Sequence, residues 1–174
     1  MVDHHTLLHR LELTFGVSDV ALSCFNSHLV GRRQQVQAGR LTSALSMILC
    51  GVPQGSVLGL ILFLLYTADL LSLIDDRGLQ AHLYADDTQL YGFCPPHESL
   101  DLHMRISRCI DEVATWMLSN RLQLNANKTE FIWLSSSRRV HQLLQQPSLS
   151  VGSDLAAPVS VVRDLSIYVY EVSR

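Results

Sequence analysis

Charge is scarce in this chain. Only 17% of its 174 residues are Asp, Glu, Lys or Arg, and 13 basic against 16 acidic side chains leave a formal charge of −3. Affinity for nucleic acid comes from Lys and Arg that displace counterions from phosphates, so this balance argues for weak nucleic-acid binding by the chain alone. The basic pairs Arg32-Arg33 and Arg138-Arg139 read as solvated surface. Cysteine is sparse too: Cys24, Cys50, Cys94 and Cys109 are scattered with no C-x-x-C. That excludes a disulfide framework and a zinc ribbon. With no secretory leader it predicts reduced thiols in an intracellular protein, in cytoplasm or nucleus. His5 and His9 have the i, i+4 spacing of a helical metal pair, yet no third ligand follows at a recognisable spacing and H-E-x-x-H is missing, so zinc is not expected. There is no internal repeat and no sign of a second domain. Hydrophobic content of 48% is ample for the core of one compact unit.

Long apolar runs are limited to one. Val57 to Ile74 carries a single charge, Asp69, but the run is barely long enough to span a bilayer and has Thr67 and Asp69 inside it. It therefore reads as a buried core helix, with no membrane contact. Before it, Leu7, Leu8, Leu11 and Phe15 share one helical face between His5 and Phe15. Ser18 is placed to cap a second helix through Leu29, ended by Gly31. Residues 34 to 38 and 41 to 49, separated by Gly39-Arg40, predict a hairpin. After Pro95-Pro96, the residues Leu102, Ile106, Cys109, Ile110, Val113, Trp116 and Met117 form an apolar stripe at helical spacing. Phe131 to Leu134 reads as a strand, Ser135 to Ser153 as a mobile polar loop, and residues 160 to 169 as a last short strand.

What is present in concentrated form is acid at a turn. Tyr84-Ala85-Asp86-Asp87 stands between Leu79–Tyr84 and Thr88–Phe93, two segments whose composition favours extended chain, so Ala-Asp-Asp is the predicted tip of a hairpin. Asp is common in turns, and an isolated pair usually only solvates a loop. Two adjacent carboxylates nonetheless repel each other unless a cation or a proton relieves them, which makes the pair a candidate Mg²⁺ site. Upstream, Gly51-Val52-Pro53-Gln54-Gly55-Ser56-Val57-Leu58-Gly59 is a glycine-rich turn running into the apolar helix, with Ser56 placed to cap it. Downstream lies Trp116-Met117-Leu118-Ser119-Asn120-Arg121-Leu122-Gln123-Leu124-Asn125-Ala126-Asn127-Lys128-Thr129-Glu130, a helix end followed by a polar break and a lysine.

Those three segments, in that order and spacing, resemble the palm of a reverse transcriptase (an RNA-directed DNA polymerase), and their wording is similar to that of LINE-type non-LTR retrotransposons. The likeness extends over nearly the whole chain, from Val2-Asp3-His4 to Val162-Arg163-Asp164-Leu165. It implies an α+β fold, a palm-like antiparallel sheet with helices on one face, with fingers and thumb largely absent from these 174 residues. It also implies that Asp86 and Asp87 are catalytic and help to hold two Mg²⁺ ions, with Mn²⁺ as a substitute, for in-line nucleotidyl transfer. Tyr84 would sit beside the primer end, and Gln54 and Gly55 would lie against nucleotide and template. Lys128 would bring charge or a proton to the pyrophosphate leaving group. The implied partners are an RNA template, a DNA primer and a deoxynucleoside triphosphate.

The departures from the family pattern are specific. The family's first metal-binding aspartate precedes the V-D-H signature and has no counterpart here, and Asp3 matches a later position that is not a metal ligand. Leu60 stands where proline is usual, Ser166 where glycine is usual, and Tyr170 near a usual aspartate. Together they predict a partial domain over residues 1–174, truncated at both ends and inactive by itself. The alternative is a non-catalytic, retroelement-derived remnant acting at most as a protein-interaction module.

Overall fold

In the computed structural model, the described residues are 1–53, 55–135, 147–152, 154–164 and 166–171. The chain divides into two compact units. The first comprises Met1–Leu71, Leu83–Thr88 and Ser119–Leu122, the second Ser72–His82, Gln89–Leu118 and Gln123–Arg174.

In the first unit, Asp3 starts helix α1 (His4–Leu13) by accepting from the Thr6 amide, and α2 (Asp19–Leu29) begins after Ser18. The Ser18 hydroxyl turns to the Asp19 carboxylate at 3.0 Å instead of capping the helix. Val2, Leu7, Leu11, Leu29, Leu62 and Tyr66 form the core, and the V-D-H segment is stitched to the start of the glycine-rich turn. Asp3 bridges antiparallel to Cys50, the Gly51 amide donates to the Val2 carbonyl at 2.6 Å, and His4 Nε2 lies 2.7 Å from the Gly51 carbonyl.

The predicted hairpin at residues 34–49 forms with an interruption. Strands β1 (Arg33–Gln34) and β4 (Ser46–Met47) pair, as do β2 (Gln37–Ala38) and β3 (Leu41–Thr42). Between the two pairs, residues 35 and 36 face residues 43 to 45, which is a β-bulge.

The apolar run divides at Ala68, whose backbone stays right-handed helical, into α3 (Val57–Thr67) and α4 (Asp69–Asp75), and the Thr67 hydroxyl donates back to the Phe63 carbonyl at 3.1 Å. Residues Val57–Asp75 are long and apolar enough to cross a membrane by length and composition, with 33% of the stretch buried. The expected core helix is thus buried on one stripe only. Leu62, Tyr66, Leu70 and Ile74 recur every fourth residue and are covered, whereas Val57, Leu60, Ile61 and Leu71 are exposed.

The second unit is organised by α5 (Ser99–Ser119), which follows a short 3₁₀ turn at Pro96–Glu98. Leu102, Ile106, Cys109 and Val113 of the predicted stripe are buried, while Ile110, Trp116 and Met117 are half-buried. Arg77 pairs with Glu112 at 2.7 Å, and Arg105 donates to the Gly78 carbonyl at 2.7 Å.

Helices and strands are mixed as an α+β fold requires, but the described residues form five two-stranded sheets and not one continuous antiparallel sheet. The strands are too short and too often bulged or broken to extend a common ladder. Two further expectations are corrected. Phe131–Leu134 contributes only an isolated bridge from Phe131 to Pro158, and the predicted loop 135–153 contains strand β7 (Leu149–Val151), paired with β8 (Asp154–Ala156). Leu149 and Val151 bury on one face, so alternation is present in Leu-Ser-Val although the serine-rich surroundings mask it. Residues 136–146 of that loop lie outside the described residues. The last predicted strand is a hairpin, β9 (Val161–Asp164) with β10 (Ile167–Tyr170).

Candidate functional site

The two adjacent aspartates stand at a hairpin tip, as the composition of their flanks predicts. Strands β5 (Gln80–Tyr84) and β6 (Asp87–Tyr91) pair with each other, leaving Ala85-Asp86 as a two-residue turn. Asp87 therefore opens a strand and does not complete the turn. Of the two turn residues only Ala85 has positive φ, at 53°, a conformation that disfavours an L side chain and in hairpins usually carries glycine. Such strain persists only where surrounding structure imposes it. The consecutive carboxylates Asp86 and Asp87 are both exposed. Tyr84, on the exposed side of β5, is 62% accessible beside them.

Asp86 and Asp87 are hard oxygen donors, the type that Mg²⁺ prefers, and Mg²⁺ usually takes one or two protein carboxylates while keeping water or substrate phosphates as its remaining ligands. The donor set fits a divalent ion of that kind. Among the described residues no third His, Cys, Asp or Glu groups with the pair. Asp3 is engaged elsewhere. One of its oxygens accepts from the Thr6 amide and hydroxyl, each at 2.9 Å, and the other lies 3.0 Å from Arg121. The Thr6 amide, helped by the Thr6 hydroxyl and Arg121, holds the Asp3 carboxyl below the usual carboxylate range against the opposing effect of burial.

The glycine-rich turn is built as the sequence predicts at Ser56. Its Oγ accepts from the Gly59 amide at 3.0 Å and donates to the Pro53 carbonyl at 2.7 Å, closing the turn onto the start of α3. A methyl group on Gly59 would meet the Pro53 carbonyl at 2.8 Å, so close backbone approach explains that glycine. Gly55 has φ of 75° and open space where a side chain would stand. Gln54 lies outside the described residues. Lys128 ends a 3₁₀ turn, Ala126–Lys128, in the second unit and is exposed.

A family model for reverse transcriptase (RNA-dependent DNA polymerase) matches residues 1–150. The chain belongs to the reverse transcriptase family. Neither the curated proteins nor the solved structures give a match. Reverse transcriptases generally use divalent metal ions and engage a nucleic-acid template and primer.

Within this reverse transcriptase domain, the Ser119–Leu122 segment has a role that periodicity does not reveal. Arg10 of α1 donates to the Tyr66 carbonyl and, at 2.8 Å, to the Asn120 side-chain oxygen, and it lies 3.1 Å from Asp69 and over the Tyr66 ring. The Tyr66 hydroxyl in turn donates to the Asn120 carbonyl at 2.7 Å, the Met1 amino group to the Arg121 carbonyl, and Leu122 packs on the core. Arg10 of α1 and Tyr66 of α3 thus anchor the S-N-R-L stretch to these two helices. Arg10 is the residue that sequence reasoning missed, because its partners lie 56 and 110 residues away in the chain.

Proposed function

We propose that the Asp86-Asp87 hairpin is the carboxylate half of the nucleotidyl-transfer site of a LINE-type, non-LTR reverse transcriptase, acting in RNA-templated DNA synthesis. The observation that supports this most is the Ala85-Asp86 turn, followed directly by Asp87 at the start of β6, in a chain of this family. Divalent ions bound there, Mg²⁺ or Mn²⁺, supply charge stabilisation for in-line displacement on a triphosphate. Asp86 and Asp87 hold their oxygens as the fixed anionic end of the site. Tyr84 lines the primer side and Gly55 leaves its turn open to nucleotide and template; Lys128 is the candidate cation for the pyrophosphate by its place in the motif. Gln54 belongs to the same turn by its place in the motif.

Because no third carboxylate joins the pair among the described residues, this chain carries the family's site without its full turnover. The test is incorporation of labelled dTTP on oligo(dT)-primed poly(rA) with Mg²⁺ or Mn²⁺, comparing the chain with the Asp86→Asn, Asp87→Asn double variant. No incorporation above the variant is expected. Incorporation that the double variant loses would show that two carboxylates suffice.

A second reading, a non-catalytic remnant working as an interaction module, draws on Val57, Leu60, Ile61 and Leu71, an apolar stripe left exposed along α3 and α4. A monodisperse monomer that ignores a hydrophobic dye would remove it.

A further inference from the structure

The scarce positive charge of this chain is unevenly placed. From Val20 to Ala68 there is no Asp or Glu, and the stretch holds Arg32, Arg33 and Arg40, so it carries +3 in a chain of net −3. All three arginines lie on or beside the bulged ribbon of β1 to β4. Arg32 is half-buried just before β1, Arg33 is exposed within it, and Arg40 is exposed in the turn between β2 and β3. The ion pairs among the described residues are made by Arg10, Arg77, His97 and Arg121, none by the ribbon. Every residue from Arg33 to Met47 is exposed, so both faces of the ribbon are open, and Val36, Leu41, Leu45 and Met47 are each more than half exposed. A two-stranded ribbon is marginal in water by itself. Aliphatic area left open on such an element marks a surface for a partner.

Composition decides which partner fits. From Asn26 to Leu62 there is no Phe, Tyr or Trp. Unpaired bases stack on aromatic side chains, so the ribbon offers a nucleic-acid strand nothing beyond its charge. Arginine set among Val, Leu and Met, with no acid nearby, matches the boundary of an anionic bilayer. There basic heads meet lipid phosphates and carboxylates, and aliphatic side chains enter the acyl layer. The register brings the two kinds of side chain together: Arg33 stands opposite Met47, and cross-strand partners share one face of a ribbon. We infer that the β1–β4 ribbon is a peripheral docking surface for an anionic lipid membrane. Arg32, Arg33 and Arg40 serve the headgroups, and Val36, Leu41, Leu45 and Met47 serve the acyl boundary. No segment crosses the bilayer in such a contact, and the inference does not depend on the nucleotidyl-transfer reading.

The experiment is co-sedimentation of the full chain with vesicles of phosphatidylcholine containing phosphatidylserine, against vesicles of phosphatidylcholine alone, at low and at physiological salt. The wild type should partition onto the anionic vesicles, less so as salt screens the arginines, and leave the neutral ones in solution. A basic residue near an anionic surface contributes about fivefold, so Arg32→Gln/Arg33→Gln/Arg40→Gln should weaken partitioning by about a hundredfold. The corresponding triple Lys variant should keep it, which separates charge from misfolding. Leu41→Ser/Leu45→Ser, which keeps every charge, should weaken it by about tenfold or more. Equal partitioning onto neutral vesicles, a Gln variant bound as tightly as the wild type, equal losses from the Gln and Lys variants, or an unchanged Leu variant would each overturn the inference. A wild type that ignores both vesicles would overturn it too, and arginine-dependent binding of a labelled RNA by that same chain would give the ribbon to nucleic acid instead.

Discussion

The Asp3 carboxylate caps α1 with one oxygen and lies 3.0 Å from the Arg121 guanidinium with the other, joining the first helix to the S-N-R-L segment more than a hundred residues later. Both jobs use lone pairs that a metal would otherwise need.

The two jobs have different weights. Arg121 is 74% exposed, so the ion pair is screened and contributes under about 1 kcal/mol. The cap is worth about 1–2 kcal/mol when lost to alanine. Asp3→Ala should therefore destabilise by about 1–2 kcal/mol in urea unfolding at pH 7, and Asp3→Asn, which can still cap, by much less. Because the folded Asp3 carboxyl lies below its ordinary value of 3.8, its contribution is full above that pH and is lost as pH falls through the folded value. Asp3→Asn should flatten that part of the pH profile.

Arg10 should matter more than its visible ion pair suggests. Its side chain is 13% exposed and serves Tyr66 and Asn120, whereas Asp69 is 47% exposed. Arg10→Met strands these acceptors and should destabilise by about 2–3 kcal/mol, the range for hydrogen bonds to charged groups. Asp69→Asn should cost under about 1 kcal/mol. Equal losses from the two variants would contradict the hub.

Backbone demands at two positions point in opposite directions. Gly59→Ala drives a methyl into the Pro53 carbonyl and should destabilise by about 1–3 kcal/mol, the cost of overpacking. Ser166 has φ of 72°, in the left-handed region that costs an L-residue about 1–2 kcal/mol. Ser166→Gly should raise the thermal midpoint.

His103 predicts a loss of stability in mild acid. Burial pushes its pKa below the ordinary 6.5, and its Nδ1 has no partner among the described residues. The unfolded chain accepts a proton near pH 6.5 that the folded chain resists, so stability is full above that pH and falls as pH drops through it toward the folded value. His103→Leu should flatten that slope in denaturant midpoints measured across the same window.

Local chemistry was the legible part of this protein. Ser56 caps α3, the Asp86-Asp87 pair reaches a hairpin tip, and the α5 stripe buries Leu102 to Val113, all because capping, turn composition and helical period are encoded within a few residues. What escaped depends on distant partners. The β7 strand follows from burial that the polar flanks of Leu149 and Val151 conceal. The Arg10 hub links residues up to 110 positions apart, and no window of sequence contains it. The site residues divide in the same way: Asp86, Asp87 and Tyr84 are adjacent by chain connectivity, whereas Gly55 and Lys128 owe their relation to them to the family motifs alone.

The central claim is that Asp86 and Asp87 form a divalent-ion site at the hairpin tip, and the most direct measurement is a Mn²⁺ titration of the full chain followed by electron paramagnetic resonance of free Mn²⁺. Weak binding is expected that disappears in the Asp86→Asn, Asp87→Asn variant and is unchanged in Asp3→Asn. Identical curves for wild type and the double variant, or loss of binding in Asp3→Asn, would contradict it.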